Sequence, residues 1–276
     1  MKIDSHQHFW HYRPQRDTWI ENHMGKIRRD FLPSDLAPRL KENDFDGCIA
    51  VQADQSEEET DFLLALAEEH PFIKGVIGWI DLCSPTVEKR LQHYVRRPKF
   101  CGIRHIVQAE PDGFLERAAF RRGIALLAAY HVPYDLLIYP HQLPAAITFA
   151  KTFPSLQIML NHLAKPPVAT GKITQWKADI HRLATLPNVA CKISGLVTEA
   201  HWDNWQESDF QPYLTVVFDA FGTDRIVYGS DWPVCLLAAR YNEQLSLITN
   251  FITRYPKKVQ AQIMGLNAEK FYTLTR

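Results

Sequence analysis

Eight short runs of β-branched and apolar residues recur along the chain, each followed by a longer stretch with helical spacing. This rhythm limits the fold more than any other feature. The runs are Lys2–Asp4, Gly47–Gln52, Lys74–Ile80, Gly102–Val107, Pro133–Ile138, Gln157–Asn161, Val189–Ile193 and Arg225–Tyr228. Between them lie segments such as residues 60–70 and 115–130, whose apolar side chains return every three or four positions. Strands alternating with helices of that length build β-α-β units on a parallel sheet. Eight units in 276 residues predict one (β/α)₈ barrel, the TIM-barrel architecture, over residues 1–276. A doubly wound sheet would show a GxGxxG turn after a strand, and no run here is followed by one. The GxxxxGK[ST] loop of nucleoside triphosphate sites is also absent.

One connection is out of proportion. About 40 residues separate the first run from the second, and they open with Phe9-Trp10-His11-Tyr12-Arg13. Aromatic and basic residues are unusual in a solvated loop. On a barrel this loop sits at the C-terminal mouth, where Trp10 would cover a bound molecule.

The charge balance narrows the partner. The chain has 31 basic and 31 acidic side chains, a formal net charge of zero. A protein that neutralises phosphates to hold nucleic acid would be basic, so a small molecule is expected instead. Cys48, Cys83, Cys101, Cys191 and Cys235 form no CxxC pair, as expected of free thiols in a reducing compartment. The first residues lack a signal peptide's apolar stretch, and no run of 18 apolar residues occurs. These features predict a cytoplasmic protein that does not enter a membrane; the oligomeric state is left open.

Polar side chains gather where the strands end, the face that carries chemistry in barrel enzymes. The first strand leads into His6-Gln7-His8, and residues two apart on an extended segment share a side. Both imidazoles then aim at one point. The fourth strand ends in Arg104-His105, the sixth in Asn161-His162, and the eighth in Tyr228-Gly229-Ser230-Asp231. Neutral imidazoles and a carboxylate suit a divalent ion such as zinc, and the carboxylate also suits a general base acting on water. Gln52, at the end of the second strand, is a further candidate for substrate contact. Lys192 stands inside the seventh strand, where a parallel sheet should be apolar. It either pairs with a carboxylate inside the barrel or touches substrate.

Taken together, these residues resemble a known family. Ile3-Asp4-Ser5-His6-Gln7-His8-Phe9-Trp10, Gly102-Ile103-Arg104-His105, Asn161-His162-Leu163-Ala164-Lys165-Pro166, Cys191-Lys192-Ile193-Ser194-Gly195-Leu196 and Tyr228-Gly229-Ser230-Asp231-Trp232-Pro233 occur in the order seen in the amidohydrolase superfamily. More narrowly they are similar to its sugar-lactone hydrolases, and Gly265–Tyr272 resembles that group's closing helix. The resemblance implies a distorted barrel with His6, His8, His162 and Asp231 as its central cluster, and hydrolysis of a cyclic ester. It implies either one divalent metal on those four residues, zinc first, or a metal-free site. A two-metal centre is not expected, because Arg104 stands where a bridging ligand would and arginine stays protonated. Arg104, His105, Gln52, Lys192 and Trp10 are the expected substrate contacts. Hydrolysis of a dicarboxylate lactone is the second expectation and would need several arginines at the mouth. A decarboxylase on the same scaffold and a catalytically silent sugar-binding barrel follow.

Overall fold

The computed structural model describes residues 1–274. Its eight strands are β1 (Ile3–Gln7), β2 (Gly47–Val51), β3 (Ile73–Gly78), β4 (Phe100–His105), β5 (Tyr134–Leu136), β6 (Ile158–Leu160), β7 (Val189–Ile193) and β8 (Ile226–Tyr228). They lie side by side in sequence order and every adjacent pair is parallel. The main helices between them are α1 (Pro33–Glu42), α2 (Glu57–Glu69), α3 (Val87–Tyr94), α4 (Ala118–Ala129), α5 (Leu143–Thr152), α6 (Ile173–Ala184) and α7 (Glu207–Phe221). After β8 come α8 (Tyr241–Ile252), α9 (Lys257–Ala261) and α10 (Asn267–Phe271). This is the (β/α)₈ barrel that the alternating pattern predicts.

The helices form where the sequence supplies both a cap and a stripe. Ser56 precedes α2 and its hydroxyl accepts the Glu59 amide at 3.2 Å, satisfying one of the donors that a helix start leaves bare. On α4, Phe120, Gly123, Ile124 and Leu127 are buried, one face at three- and four-residue spacing turned to the sheet. Burying each large side chain of that face contributes roughly 1.5–3 kcal/mol.

Strand parity divides the core. Ile3, Ile49, Val51, Ile77, Met159, Ala190 and Val227 form one cluster, the barrel's interior, and Ala268, Tyr272 and Leu274 of the C-terminal segment join it from below. Alternate residues such as Ala50, Ile103, Tyr134, Ile158 and Cys191 face outward to the helices. Above the apolar layer the interior turns polar. Lys192 and Asp135 are fully buried and 2.8 Å apart, and Asp135 also accepts from Tyr272 at 2.7 Å and Asn161 at 2.8 Å.

The first strand is longer than the run Lys2–Asp4 suggests. It reaches Gln7, and its register against β2 slips between Asp4 and Gln7. The bulge reverses the alternation, so Ile3 faces the interior below while His6 faces it above. The β8–β1 seam closes at the mouth, where the His8 amide donates to the Trp232 carbonyl at 2.7 Å and the Asp231 amide to the His6 carbonyl at 2.8 Å. No helix among the described residues is long and apolar enough to cross a membrane.

Candidate active site

The bulge in β1 and the turn after β8 bring four residues together. Asp231 Oδ1 lies 3.8 Å from His6 Nε2, 3.4 Å from His8 Nε2 and 3.8 Å from His162 Nε2. The His6 ring centre is 5.0 Å from that of His8 and 4.5 Å from that of His162. All four side chains are buried. Two glycines make room for them. A Cβ on Gly229 would stand 2.5 Å from the Cβ of His6, and one on Gly195, at φ +61°, would stand 2.6 Å from His162 Nδ1. Asp231 itself sits at φ +57°. Four consecutive residues, His162 to Lys165, also lie in the left-handed region, with φ of 51°, 54°, 56° and 50°. Left-handed backbone costs a non-glycine residue roughly 1–2 kcal/mol. Such strain gathers where side chains must be aimed.

Burial pulls His6 and His8 below the usual imidazole range and pulls His162 down to about 3. All three rings are therefore neutral at physiological pH. Burial pushes the Asp231 carboxyl up, but its polar surroundings, with the Lys165 ammonium among them, outweigh it and hold it below the ordinary carboxylate value. The site is an ionised carboxylate among neutral imidazoles.

Hydrogen bonds fix the tautomers. His8 Nδ1 lies 2.7 Å from the Val51 carbonyl oxygen. A carbonyl only accepts, so Nδ1 carries the proton and the Nε2 lone pair faces Asp231. A lone pair against a carboxylate oxygen is repulsive unless a proton or cation lies between them. Donor atoms of His6, His8 and Asp231 all lie within 4.8 Å of one another, and a ligating imidazole anchored through its other nitrogen is the arrangement metal sites use. The donor set fits one divalent ion, which His6 Nε2 would hold in exchange for the bond it accepts from the Arg104 guanidinium. A second is disfavoured, because the Arg104 guanidinium already stands 3.1 Å from His6 Nε2.

This geometry has known counterparts. The amidohydrolase family's sequence profile matches residues 3–274. The chain belongs to the amidohydrolase family. An L-fucono-1,5-lactonase from Burkholderia multivorans is 40% identical over 286 residues, covering 99% of this chain and 96% of that protein. An L-fucono-1,5-lactonase from Burkholderia ambifaria is 36% identical over 282 residues, covering 100% and 96%. The crystal structure of a Burkholderia multivorans amidohydrolase with bound zinc superimposes with a TM-score of 0.96 at 40% identity, each chain covered in full.

The other expected contacts of this amidohydrolase divide. Arg104 reaches the cluster with both Nη groups engaged, while its buried Nε has no partner among the described residues. One Nη meets His6, the other donates to the Gln52 carbonyl, and Gln52 Nε2 returns a bond to the Arg104 carbonyl at 3.2 Å. Gln52 and Arg104 thus clamp each other, and both are buried. Lys192 takes the pairing alternative, bound to Asp135 below the site. His105 is not brought to the cluster. It follows Arg104 on a strand, so it faces outward, stacked on Phe114 at 4.8 Å and bonded to Glu110 at 2.8 Å. Trp10 stands beside the cluster, its ring 6.3 Å from that of His8. It packs edge-on against Trp19 and Phe31 and donates to the Arg29 carbonyl at 2.8 Å.

Sequence reasoning left three neighbours of the site without a role. Ser194 Oγ lies 2.9 Å from His162 Nδ1. Asp135 is a charged residue flanked by apolar ones in a strand, the same signal that singles out Lys192. Lys165 lies inside the Asn161–Pro166 motif and is paired with Glu199 at 3.2 Å.

Proposed function

We propose that this amidohydrolase opens a small sugar lactone of the L-fucono-1,5-lactone type to its hydroxy acid. The observation that carries the reading is Asp231, a buried carboxylate held ionised within 4 Å of three neutral imidazoles. Its full-length likeness to the two Burkholderia lactonases supports the substrate class.

Asp231 takes a proton from a water molecule as that water attacks the lactone carbonyl carbon. Ser194 Oγ lies 2.9 Å from His162 Nδ1; in the tautomer in which the hydroxyl donates, His162 Nε2 carries a proton and donates to the oxyanion that forms. Collapse of the tetrahedral intermediate breaks the ring C–O bond. The leaving alkoxide takes the proton from Asp231, which restores the carboxylate. His6, His8 and Asp231 would hold one divalent ion, zinc first, and when bound it supplies Lewis-acid polarisation of the carbonyl. Arg104 keeps the His6 ring in place and adds positive charge beneath the oxyanion.

A dicarboxylate lactone is a poorer fit. Arg13 is paired with Glu58 at 3.4 Å and Arg16 with Asp17 at 2.7 Å, while Arg104 is clamped by Gln52. No cluster of uncommitted guanidinium groups faces the site among the described residues. A pH-indicator screen of fucono-, rhamnono-, galactono- and arabinono-lactones tests the proposal. Acid release, fastest with fuconolactone, is the expected result. Sugar binding without acid release from any lactone would overturn it.

A further inference from the structure

Three loops at the mouth carry side chains whose hydrogen-bonding groups the hydrolysis above does not bring to the substrate. Lys165 ends the left-handed turn that presents His162, and its Nζ lies 3.2 Å from Glu199 Oε1. Lys165 follows β6 and Glu199 follows β7. Both side chains are 20% exposed, so the pair is largely desolvated yet reachable from the mouth. Tyr139, on the loop after β5, has its ring centre 5.7 Å from the ammonium and is 39% exposed. Burial pulls Lys165 down, but Glu199, Asp231 and Tyr139 outweigh it and keep it charged. The ammonium therefore stands in the fields of both the reacting carboxylate and Glu199.

A stability role explains this poorly. Taking this pair largely out of water carries a desolvation penalty that its attraction offsets only in part, and Lys165 is held in left-handed backbone that costs free energy. The chemistry of the trio suits a polyol. An ammonium offers three donors, the carboxylate beside it only accepts, and a hydroxyl needs one of each. A half-exposed aromatic face accommodates the C–H side of a sugar ring, completing an apolar wall with a few placed polar groups.

We propose that Lys165, Glu199 and Tyr139 recognise the substrate's hydroxyl groups, with the lactone carbonyl at Asp231 and the hydroxyl-bearing carbons directed to the loops after β5, β6 and β7. This rests on the lactonase reading and adds which end of the substrate meets which loops.

The test compares L-fucono-1,5-lactone with δ-valerolactone, the same ester ring without hydroxyls, in wild type, Glu199→Gln and Tyr139→Ala; Lys165, whose charge also acts on Asp231, is left unchanged. Binding of the two open products, the 6-deoxyaldonate and 5-hydroxypentanoate, is measured by calorimetry on the same proteins. Circular dichroism confirms that each variant is folded. On the sugar lactone, kcat/KM is expected to fall roughly 10- to 100-fold, mostly through KM, because hydroxyl-binding groups are lost. On the plain ring it should stay within about threefold of wild type. Aldonate binding should weaken in parallel while hydroxypentanoate binding holds. Equal losses on both rings, or none on the sugar lactone, overturn the subsite. Where wild type does not turn over the plain ring, the product affinities decide by the same contrast. A wild type that hydrolyses neither lactone and binds neither product overturns the lactonase reading and the subsite with it. A wild type active on the sugar lactone with unaffected variants overturns the subsite alone.

Discussion

Asp4 Oδ1 accepts the backbone N–H of Ser230 at 2.8 Å, so the first strand of the barrel holds the turn that presents Asp231. The other oxygen accepts the Tyr241 hydroxyl at 3.0 Å, and the carboxyl is fully buried. Replacing Asp4 with alanine strands three buried donors, the amides of Ser230 and His6 and the Tyr241 hydroxyl, each at a cost of about 1–3 kcal/mol. Asp4→Ala should therefore lower the urea midpoint and reduce kcat together, since Asp231 loses its backbone anchor. An unchanged kcat in a destabilised variant would show that the turn is fixed by other bonds.

Asp231→Asn keeps the side chain's shape and removes its basicity. General-base catalysis contributes roughly 10²- to 10⁴-fold, so kcat on a sugar lactone should fall by at least that factor. The variant should stay folded by circular dichroism. Turnover at the wild-type rate would remove Asp231 from the proton transfers assigned to it.

The His8 tautomer makes a metal prediction. Zinc titrated into protein stripped with a chelator should bind at one ion per chain, and His8→Ala should bind at least about tenfold more weakly through loss of one ligand. Two ions per chain would contradict the placement of the Arg104 guanidinium at 3.1 Å from His6 Nε2.

Much of this architecture is legible in the sequence because strand-helix alternation is a long, repeated signal. Position along a strand is also legible where parity is regular: His6 and His8 share a side, and Asp231 and His162 follow apolar strand cores. What parity alone hides is local. The bulge between Asp4 and Gln7 decides that His6 faces inward, and nothing in the composition of those residues marks it. His105 ends the same strand as Arg104, yet adjacent strand residues point to opposite sides. Lys165 depends on a left-handed turn of non-glycine residues, a conformation that residue preferences argue against. Asp135 was legible and overlooked, because a charge inside a strand implies a buried partner and Lys192 is that partner.

That partnership has a measurable signature. Lys192→Met leaves the fully buried Asp135 without its cation, and breaking a buried pair from one side costs about 3–5 kcal/mol. Asp135→Leu combined with Lys192→Met should recover only part of the loss, since the apolar pair avoids the desolvation penalty of the ions but strands the Tyr272 hydroxyl and the Asn161 amide. Urea unfolding of the two single variants and the double variant gives the coupling. Additive losses in the cycle would mean that Tyr272 and Asn161, which also bond Asp135, carry its charge without the lysine.

Glu59 predicts how stability depends on pH. One of its oxygens accepts the amides of Ala53 and Asp54, on the loop after β2, while Oε1 has no partner. Burial, reinforced by the nearby Asp54 carboxylate, pushes its carboxyl up to about 8 from 4.5, with those amide bonds and Arg16 opposing the rise. The folded chain thus keeps a proton that the unfolded chain releases. Where the native state binds more protons, stability falls as pH rises. The loss begins near the unfolded value of 4.5 and is complete once pH passes the folded value of about 8. Glu59→Gln keeps an oxygen for the two amides and cannot ionise. Measured from pH 5 to pH 9, the urea midpoint of wild type should fall relative to that of Glu59→Gln, both sharing the acid-end rise that the neutral His6, His8 and His162 bring, with the variant the more stable at the alkaline end. The same slope in both proteins would mean that Glu59 is ionised when folded and that the amides of Ala53 and Asp54 outweigh its burial.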